Sequence, residues 1–329
     1  MNIYLVGEAA EHVEDLRPHL AKPYNIIGLP WTAANTTAFD GDITADDVIV
    51  SLRLRRPGGT APAVRLLHVP GAGLDQIDFA ALAPDTLVAN VFEHEIPIAE
   101  FVMARLLEWE IRAGRLQESF NPQAWPSLYR RRVPHGEMYG KTMVLIGYGR
   151  IGRAIAARAT AFGVEVVAVD DSACSDAAAS VMPTDQLAEL QRRADYLVLA
   201  APLTPATTGL IDAAALARMP AHAVLVNISR ASIVDQVALF KALQDNEIGG
   251  AILDVWYHYP DAGDSAVIPA EAPLWELSNA WCTPHSSAWT TDLPRRRYAV
   301  IADNINRLAA GEPLRNLVRP AGGDSSRRS

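Results

Sequence analysis

The sequence predicts an α/β protein built on doubly wound parallel sheets. Short apolar runs rich in Val, Ile and Leu recur along the chain, separated by helix-forming stretches. One run feeds a glycine-rich turn that opens a helix. Polar residues also fall in a pattern: Asp170, Thr204, Arg230, Asp254 and His285 lie at or just past the carboxyl ends of five runs. In a parallel sheet those ends share one edge, and open α/β sheets bind ligands there.

In chain order, Asn2 to Val6, Asp47 to Leu52, Arg65 to Val69 and Thr86 to Val91 read as the strands of a first sheet, each bounded by turn residues. A more regular βα series starts near Lys141. Its strands are Met143 to Gly147, Val164 to Asp170, Tyr196 to Ala200, Ala223 to Ile228, Gly250 to Val255 and Ala280 to Thr283. No short repeat interrupts the series. The Gly-, Ser- and Arg-rich tail from Pro320 reads as disordered.

Composition narrows the function classes. A chain of 329 residues suits two domains, and half of its residues are hydrophobic, enough for a large core. The net charge of -9 argues against a nucleic-acid partner. Cys174 and Cys282 are the only cysteines, with spacing for neither a metal nor a disulfide framework, which points to a reducing compartment and no metal. The opening MNIYLVGEAAEHVEDL turns acidic after one apolar run, as a strand does and a signal peptide does not. No apolar stretch is long enough to span a bilayer. A soluble, cytoplasmic protein with no membrane partner is expected.

Gly147-Tyr148-Gly149-Arg150-Ile151-Gly152 fits G-x-G-x-x-G directly after a strand. Gly147 allows the tight turn, Gly149 lets the backbone approach a pyrophosphate, and Gly152 lets helix pack on strand. The helix start offers free N–H groups to phosphates. Ile151, Ile155, Ala159 and Phe162 give that helix an apolar face. The next strand ends at Asp170, near the distance expected of a ribose-binding acid. With Asp171 it would repel a 2′-phosphate, so NAD is expected over NADP.

Hydride transfer to a 2-oxo acid needs a cation for the carboxylate and carbonyl, and an acid for the nascent alkoxide. Arg230 supplies a fork of donors, and His285 an imidazole suited to proton exchange near neutrality.

From Pro70 to Val318 the chain resembles the D-isomer-specific 2-hydroxyacid dehydrogenase family. The matching pieces are PGAGLDQID from Pro70, IAE from Ile98, GYGRIG from Gly147, APLTPATTGLI from Ala201, VNISR from Val226, LDVW from Leu253 and TPHSS from Thr283. The resemblance implies two Rossmann-like or flavodoxin-like domains with a cleft between them: a substrate domain of residues 1–93 plus 291–329 and an NAD-binding domain of 94–290, hinged near Ile98 to Glu100. Arg230 would orient the substrate, and His285 would be acid in reduction and base in oxidation. Asp254 would contact the nicotinamide carboxamide, while Pro202, Thr207 and Ile228 join Arg150 and Ile151 around the cofactor. Backbone amides of Ala72 and Gly73 would touch the substrate carboxylate. The segment from Arg105 to Arg132 resembles the family's dimerisation arm, so a homodimer is expected.

One departure stands out. The family has Glu beside the catalytic His; here Asp254-Val255-Trp256-Tyr257-His258-Tyr259-Pro260 puts Tyr259 at that place, which makes it the third candidate catalytic residue. A phenol supports an imidazolium less than a carboxylate does. A lower His285 pKa and easier alcohol oxidation near neutral pH are expected, unless a loop carboxylate such as Asp261 replaces the Glu in space. The departure also keeps two alternatives open: the same fold acting on formate or phosphite, and an NAD-sensing regulatory protein without turnover. Trp256, Tyr257, Tyr259, Trp281 and Trp289 suit an aromatic pocket or core packing. Arg53 and Arg55 read as surface charges or contacts for a second anionic group, and His68 as a hydrogen-bonded structural histidine.

Overall fold

The computed structural model describes residues 1–56, 58–260 and 266–319. The expected disorder from Pro320, and the loop carboxylate Asp261, lie outside the described residues. The chain divides into two compact units, one of residues 1–94 and 290–319, the other of 95–260 and 266–289 among those described.

In the first unit, β1 (Asn2–Val6), β2 (Asn25–Leu29), β3 (Val48–Val50), β4 (Leu66–Val69) and β5 (Leu87–Asn90) pair in parallel in the order β2-β1-β3-β4-β5. In the second, β6 (Thr142–Ile146), β7 (Glu165–Val169), β8 (Ser180–Met182), β9 (Tyr196–Leu199), β10 (Val224–Asn227), β11 (Gly250–Leu253) and β12 (Ala280–Cys282) form a parallel sheet ordered β8-β7-β6-β9-β10-β11-β12. Both orders reverse beside the first strand, the mark of double winding.

Three strands were not legible in the sequence. β2 and β8 are edge strands with mixed exposure: the apolar residues of β2, Ile26, Ile27 and Leu29, are few and broken by Gly28, and β8 has only three residues. β13 (Leu317–Arg319) pairs antiparallel with β5 and adds an unlike edge to the first sheet.

Each sheet is apolar on both faces. In β6, Val144 and Ile146 join one core cluster while Met143 and Leu145 join another. In β1, Ile3 and Leu5 face one core, and Tyr4 and Val6 the opposite one. This two-sided burial is why these strands read as near-continuous hydrophobic runs. The helix Leu293–Ala310 closes one face of the first sheet with Tyr298, Ile301, Ile305 and Leu308.

His68 sits within β4 at 0% exposure, where the Asn304 amide lies 2.9 Å from Nε2. Asn304 also accepts from the Arg315 amide and donates to its carbonyl, tying helix 293–310 and the following segment to the sheet. Burial depresses the imidazole to about 4, so it is neutral at pH 7. Among the described residues, no helix is long and apolar enough to cross a membrane.

Candidate active site

The second sheet gathers most of the sequence-predicted residues along its carboxyl edge. At the centre, Gly147 follows β6 with φ +95°, and a Cβ there would stand 2.6 Å from the Ala201 nitrogen. A Cβ on Gly152 would collide with the Gly147 carbonyl, so both positions need glycine for the chain's own packing. Gly149 differs. Nothing lies within 4 Å of a Cβ built there, and its φ of -76° suits any residue. What glycine keeps clear at 149 is space outside the chain, at the start of helix Arg150–Ala161, where no side chain caps the free N–H groups. That cradle fits a dinucleotide pyrophosphate.

Arg150 lies on the exposed side with Nη1 3.7 Å from Glu95, while Ile151 packs on the core. Asp170, just past β7, accepts from the Tyr148 amide (2.8 Å) and from the amide and hydroxyl of Ser172 (2.9 and 2.8 Å). Burial pushes its pKa up, but these bonds outweigh it and hold the carboxyl below its usual range. One oxygen carries the Ser172 pair, leaving lone-pair capacity on the other for ribose hydroxyls. Two residues that sequence reasoning left without a role complete this corner. Tyr148 donates to Asp176 Oδ1 at 2.6 Å, and Arg153, its guanidinium 4.4 Å from the Tyr148 ring centre, reaches Asp176 Oδ2 at 2.6 Å.

Past β9, Thr207 Oγ1 donates to the Pro202 carbonyl and receives the Thr204 amide, both at 2.8 Å, so its hydroxyl shapes the turn. Ile228 is 5% exposed and packs in the core with Val226 and Ile252.

The ends of β10, β11 and β12 are stitched together. Asn227, closing β10 and 2% exposed, donates to the Arg230 carbonyl at 3.0 Å and accepts the Ser229 amide at 3.1 Å. The Ser229 hydroxyl donates to the Ala201 carbonyl. The Arg230 backbone is thereby fixed from both sides, and its guanidinium donates to the Ser229 carbonyl at 2.9 Å. Asp254, one residue past β11, is 0% exposed. Its carboxylate accepts from Thr283 Oγ1 (2.6 Å) and from the amides of Ser286 (2.8 Å) and Ser287 (2.9 Å). The loop that Asp254 clamps carries His285, whose φ of +57° is left-handed. A β-carbon residue held there is strained, and the clamp is what sustains it.

Behind the imidazole, Tyr259 Oη stands 2.8 Å from His285 Nδ1 and accepts the Trp256 amide at 3.1 Å. The Trp256 indole donates to the Thr283 carbonyl at 2.9 Å. Trp256 thus works as a brace, a role that sequence could not separate from packing because its partner lies 27 positions along the chain. Trp281 packs against Trp109, ring centres 5.0 Å apart. β11 lies between β10 and β12, so at ~4.8 Å per strand the two strand ends that lead to Arg230 and His285 are roughly 10 Å apart.

Ala72 and Gly73 belong to the first unit, in the turn after β4, where Asn90 Nδ2 donates to the Ala72 carbonyl at 3.2 Å. Arg53 there lies 5.5 Å over the Trp31 ring.

Residues 103–287 match the family model described as the NAD-binding domain of D-isomer-specific 2-hydroxyacid dehydrogenases. The chain belongs to that family. It is 32% identical over 262 residues to a D-3-phosphoglycerate dehydrogenase of Methanocaldococcus jannaschii, covering 78% of this chain and 48% of that protein. The chain thus spans about half the length of this relative. An (S)-sulfolactate dehydrogenase of Chromohalobacter salexigens is 32% identical over 252 residues, covering 75% of this chain and 78% of its own. In fold, the chain is similar to the NADPH-dependent glyoxylate/hydroxypyruvate reductase of Sinorhizobium meliloti, with a TM-score of 0.75, 24% identity and coverage of 97% and 98% of the two chains. A family nicotinamide dinucleotide, which supplies or accepts the hydride when bound, fits the Gly149 cradle and the Asp170 corner.

Proposed function

We propose that this chain moves a hydride between NAD(H) and a small 2-oxo or 2-hydroxy acid. The observation that carries the proposal is the stitched edge: Arg230 and His285 flank the buried Asp254 on neighbouring strand ends, beside a glycine turn with open space at 149. Arg230 holds the carboxylate and polarises the carbonyl, and His285 exchanges the proton with the substrate oxygen. Asp254 holds the His285 loop by three hydrogen bonds.

NAD is the preferred form. Asp170 is held below its usual carboxylate range and Asp176 engages the guanidinium of Arg153, an arrangement that favours ribose hydroxyls over a 2′-phosphate. The partner is a second copy of the chain. Phe120, Trp125 and Tyr129 form an exposed aromatic row with ring centres 5.8 and 5.2 Å apart, a surface suited to burial in a dimer.

The test is a panel of glyoxylate, pyruvate, hydroxypyruvate and bulkier 2-oxo acids with NADH and NADPH, and of formate and phosphite with NAD. Turnover of a 2-oxo acid with NADH is expected. Oxidation of formate or phosphite alone would replace the substrate class, and tight NADH binding without any turnover would replace enzyme by sensor. Sedimentation of the purified chain checks the dimer.

A further inference from the structure

The loop after β7 is fastened to the glycine turn by one aspartate whose two oxygens do different things. Asp176 Oδ1 accepts the Tyr148 hydroxyl at 2.6 Å and the amides of Ala178 and Ala179 at 2.8 and 3.2 Å. These bonds hold a turn of the loop against a buried tyrosine. Led by the Tyr148 hydroxyl, they keep the Asp176 carboxyl below its usual range. Oδ2 instead meets Arg153 Nη1 at 2.6 Å. That contact adds little to the fold, because the two side chains are 44% and 38% exposed and ion pairs so placed contribute little stability. Its position gives it another use. Tyr148 is held at both ends, its amide by Asp170 Oδ2 at 2.8 Å and its hydroxyl by Asp176. Arg153 lies over the ring that joins those ends, its guanidinium carbon 4.4 Å from the ring centre. One tyrosine therefore separates this guanidinium from the acid of the ribose corner. Arg153 also stands in the first turn of the helix that forms the cradle, its amide bonded to the Gly149 carbonyl at 3.0 Å.

We propose that Asp176 is a specificity-determining residue, which keeps the dinucleotide site selective for NAD by holding Arg153 at the hydroxyl end of Tyr148. This deepens the NAD reading above and rests on it. A 2′-phosphate on the ribose calls for a cation, and an arginine fork is the donor suited to it. While Oδ2 engages the guanidinium, that fork is turned away from the ribose corner. Released, it swings along the face of the tyrosine towards Asp170 and meets the phosphate. The two oxygens make the step separable from folding. In Asp176→Asn the amide oxygen keeps the three bonds of Oδ1, and the amide nitrogen, a donor, cannot accept from Arg153.

The measurement is calorimetric affinity for NAD+ and NADP+, with Tm recorded, for the wild type, Asp176→Asn, Arg153→Gln, the double variant and Tyr148→Phe. The wild type is expected to bind NAD+ more tightly. Asp176→Asn should raise NADP+ affinity roughly tenfold, the worth of one charge-assisted hydrogen bond, while NAD+ affinity moves far less and Tm holds. Arg153→Gln alone should bind NADP+ no more tightly than the wild type. The double variant should lose the whole gain, since it has no guanidinium to release. Tyr148→Phe, which removes an Oδ1 bond and keeps the Oδ2 contact, should retain the preference for NAD+. Absence of a gain in Asp176→Asn overturns the proposal. So does a gain that survives the loss of Arg153, which would make Asp176 a repelling charge and nothing more. An equal gain in Tyr148→Phe would trace the preference to a loosened loop, and a lower Tm in Asp176→Asn would place Oδ2 in the fold; either result overturns it too. A wild type that binds neither dinucleotide would remove the cofactor reading itself, a failure visible before any variant is compared.

Discussion

The two sheets share double winding but place their buried polar groups differently. In the second unit, Asn227, Ser229, Asp254 and Ser287 are all buried at or just past the carboxyl ends of β10 to β12. In the first unit such groups are scattered. Asp47, 1% exposed, receives the Asn2 and Thr44 amides at the amino ends of the strands, and Thr86 donates to Val64 before β5. His68 is sealed inside β4. Burying polar groups is costly unless each is bonded. Scattered, the bonds join elements; concentrated on one edge, they hold the Arg230 backbone and the loop that carries His285.

This contrast predicts that edits to the second edge cost turnover and edits inside the first sheet cost stability alone. The largest effect is expected for Arg230→Lys, which keeps charge but loses the planar fork: kcat/KM should fall about a thousandfold with Tm unchanged. A mere rise in KM would show that the fork serves binding only. Next comes Asp254→Ala. It strands the Thr283 hydroxyl and two amides, so denaturant melts should show a loss of about 3 kcal/mol, and kcat should drop too as the His285 loop relaxes. Full kcat in a destabilised variant would separate the clamp from the chemistry.

In the first sheet, His68 links stability to pH. Its folded pKa of about 4 lies below its unfolded 6.5, so the neutral ring contributes fully above pH 6.5, and that stability is lost as pH falls towards 4. The whole effect is on the order of 3 kcal/mol. His68→Gln should flatten the stability profile across that window and leave kcat at pH 7.5 alone; the reverse pattern would break the contrast. The smallest effect is expected at Gly149→Ala, where the added methyl meets no protein atom within 4 Å. Tm should hold while calorimetry shows NAD affinity down at least about tenfold, or ~1.4 kcal/mol. Unchanged affinity would mean that the pyrophosphate does not use that space.

Much of this was legible in the sequence because the informative residues are local. The glycine turn, the strand-end acids and the apolar runs each declare themselves within a few positions. The clamp did not, because Asp254 and its partners lie 29 to 33 residues apart and only β11–β12 pairing joins them. Tyr259 could be aligned with a missing Glu, but its contacts with His285 Nδ1 and with the Trp256 amide, a backbone donor with no signature, could not be read. β2 was lost for a physical reason of its own: its apolar residues, Ile26, Ile27 and Leu29, make a run too short and too broken by Gly28 to stand out.

The helix Leu293–Ala310 belongs to the first unit, yet residues 95–289 precede it in the chain. During synthesis, β1, β3 and β4 emerge with Ile3, Leu5, Val48, Val50 and Leu66 facing a cover not yet translated. The second unit has its entire sheet available earlier, and so can fold while the first waits as an unfinished sheet on the ribosome. Released chains that end before residue 293 should therefore resist protease over residues 95–289 and yield over residues 1–94.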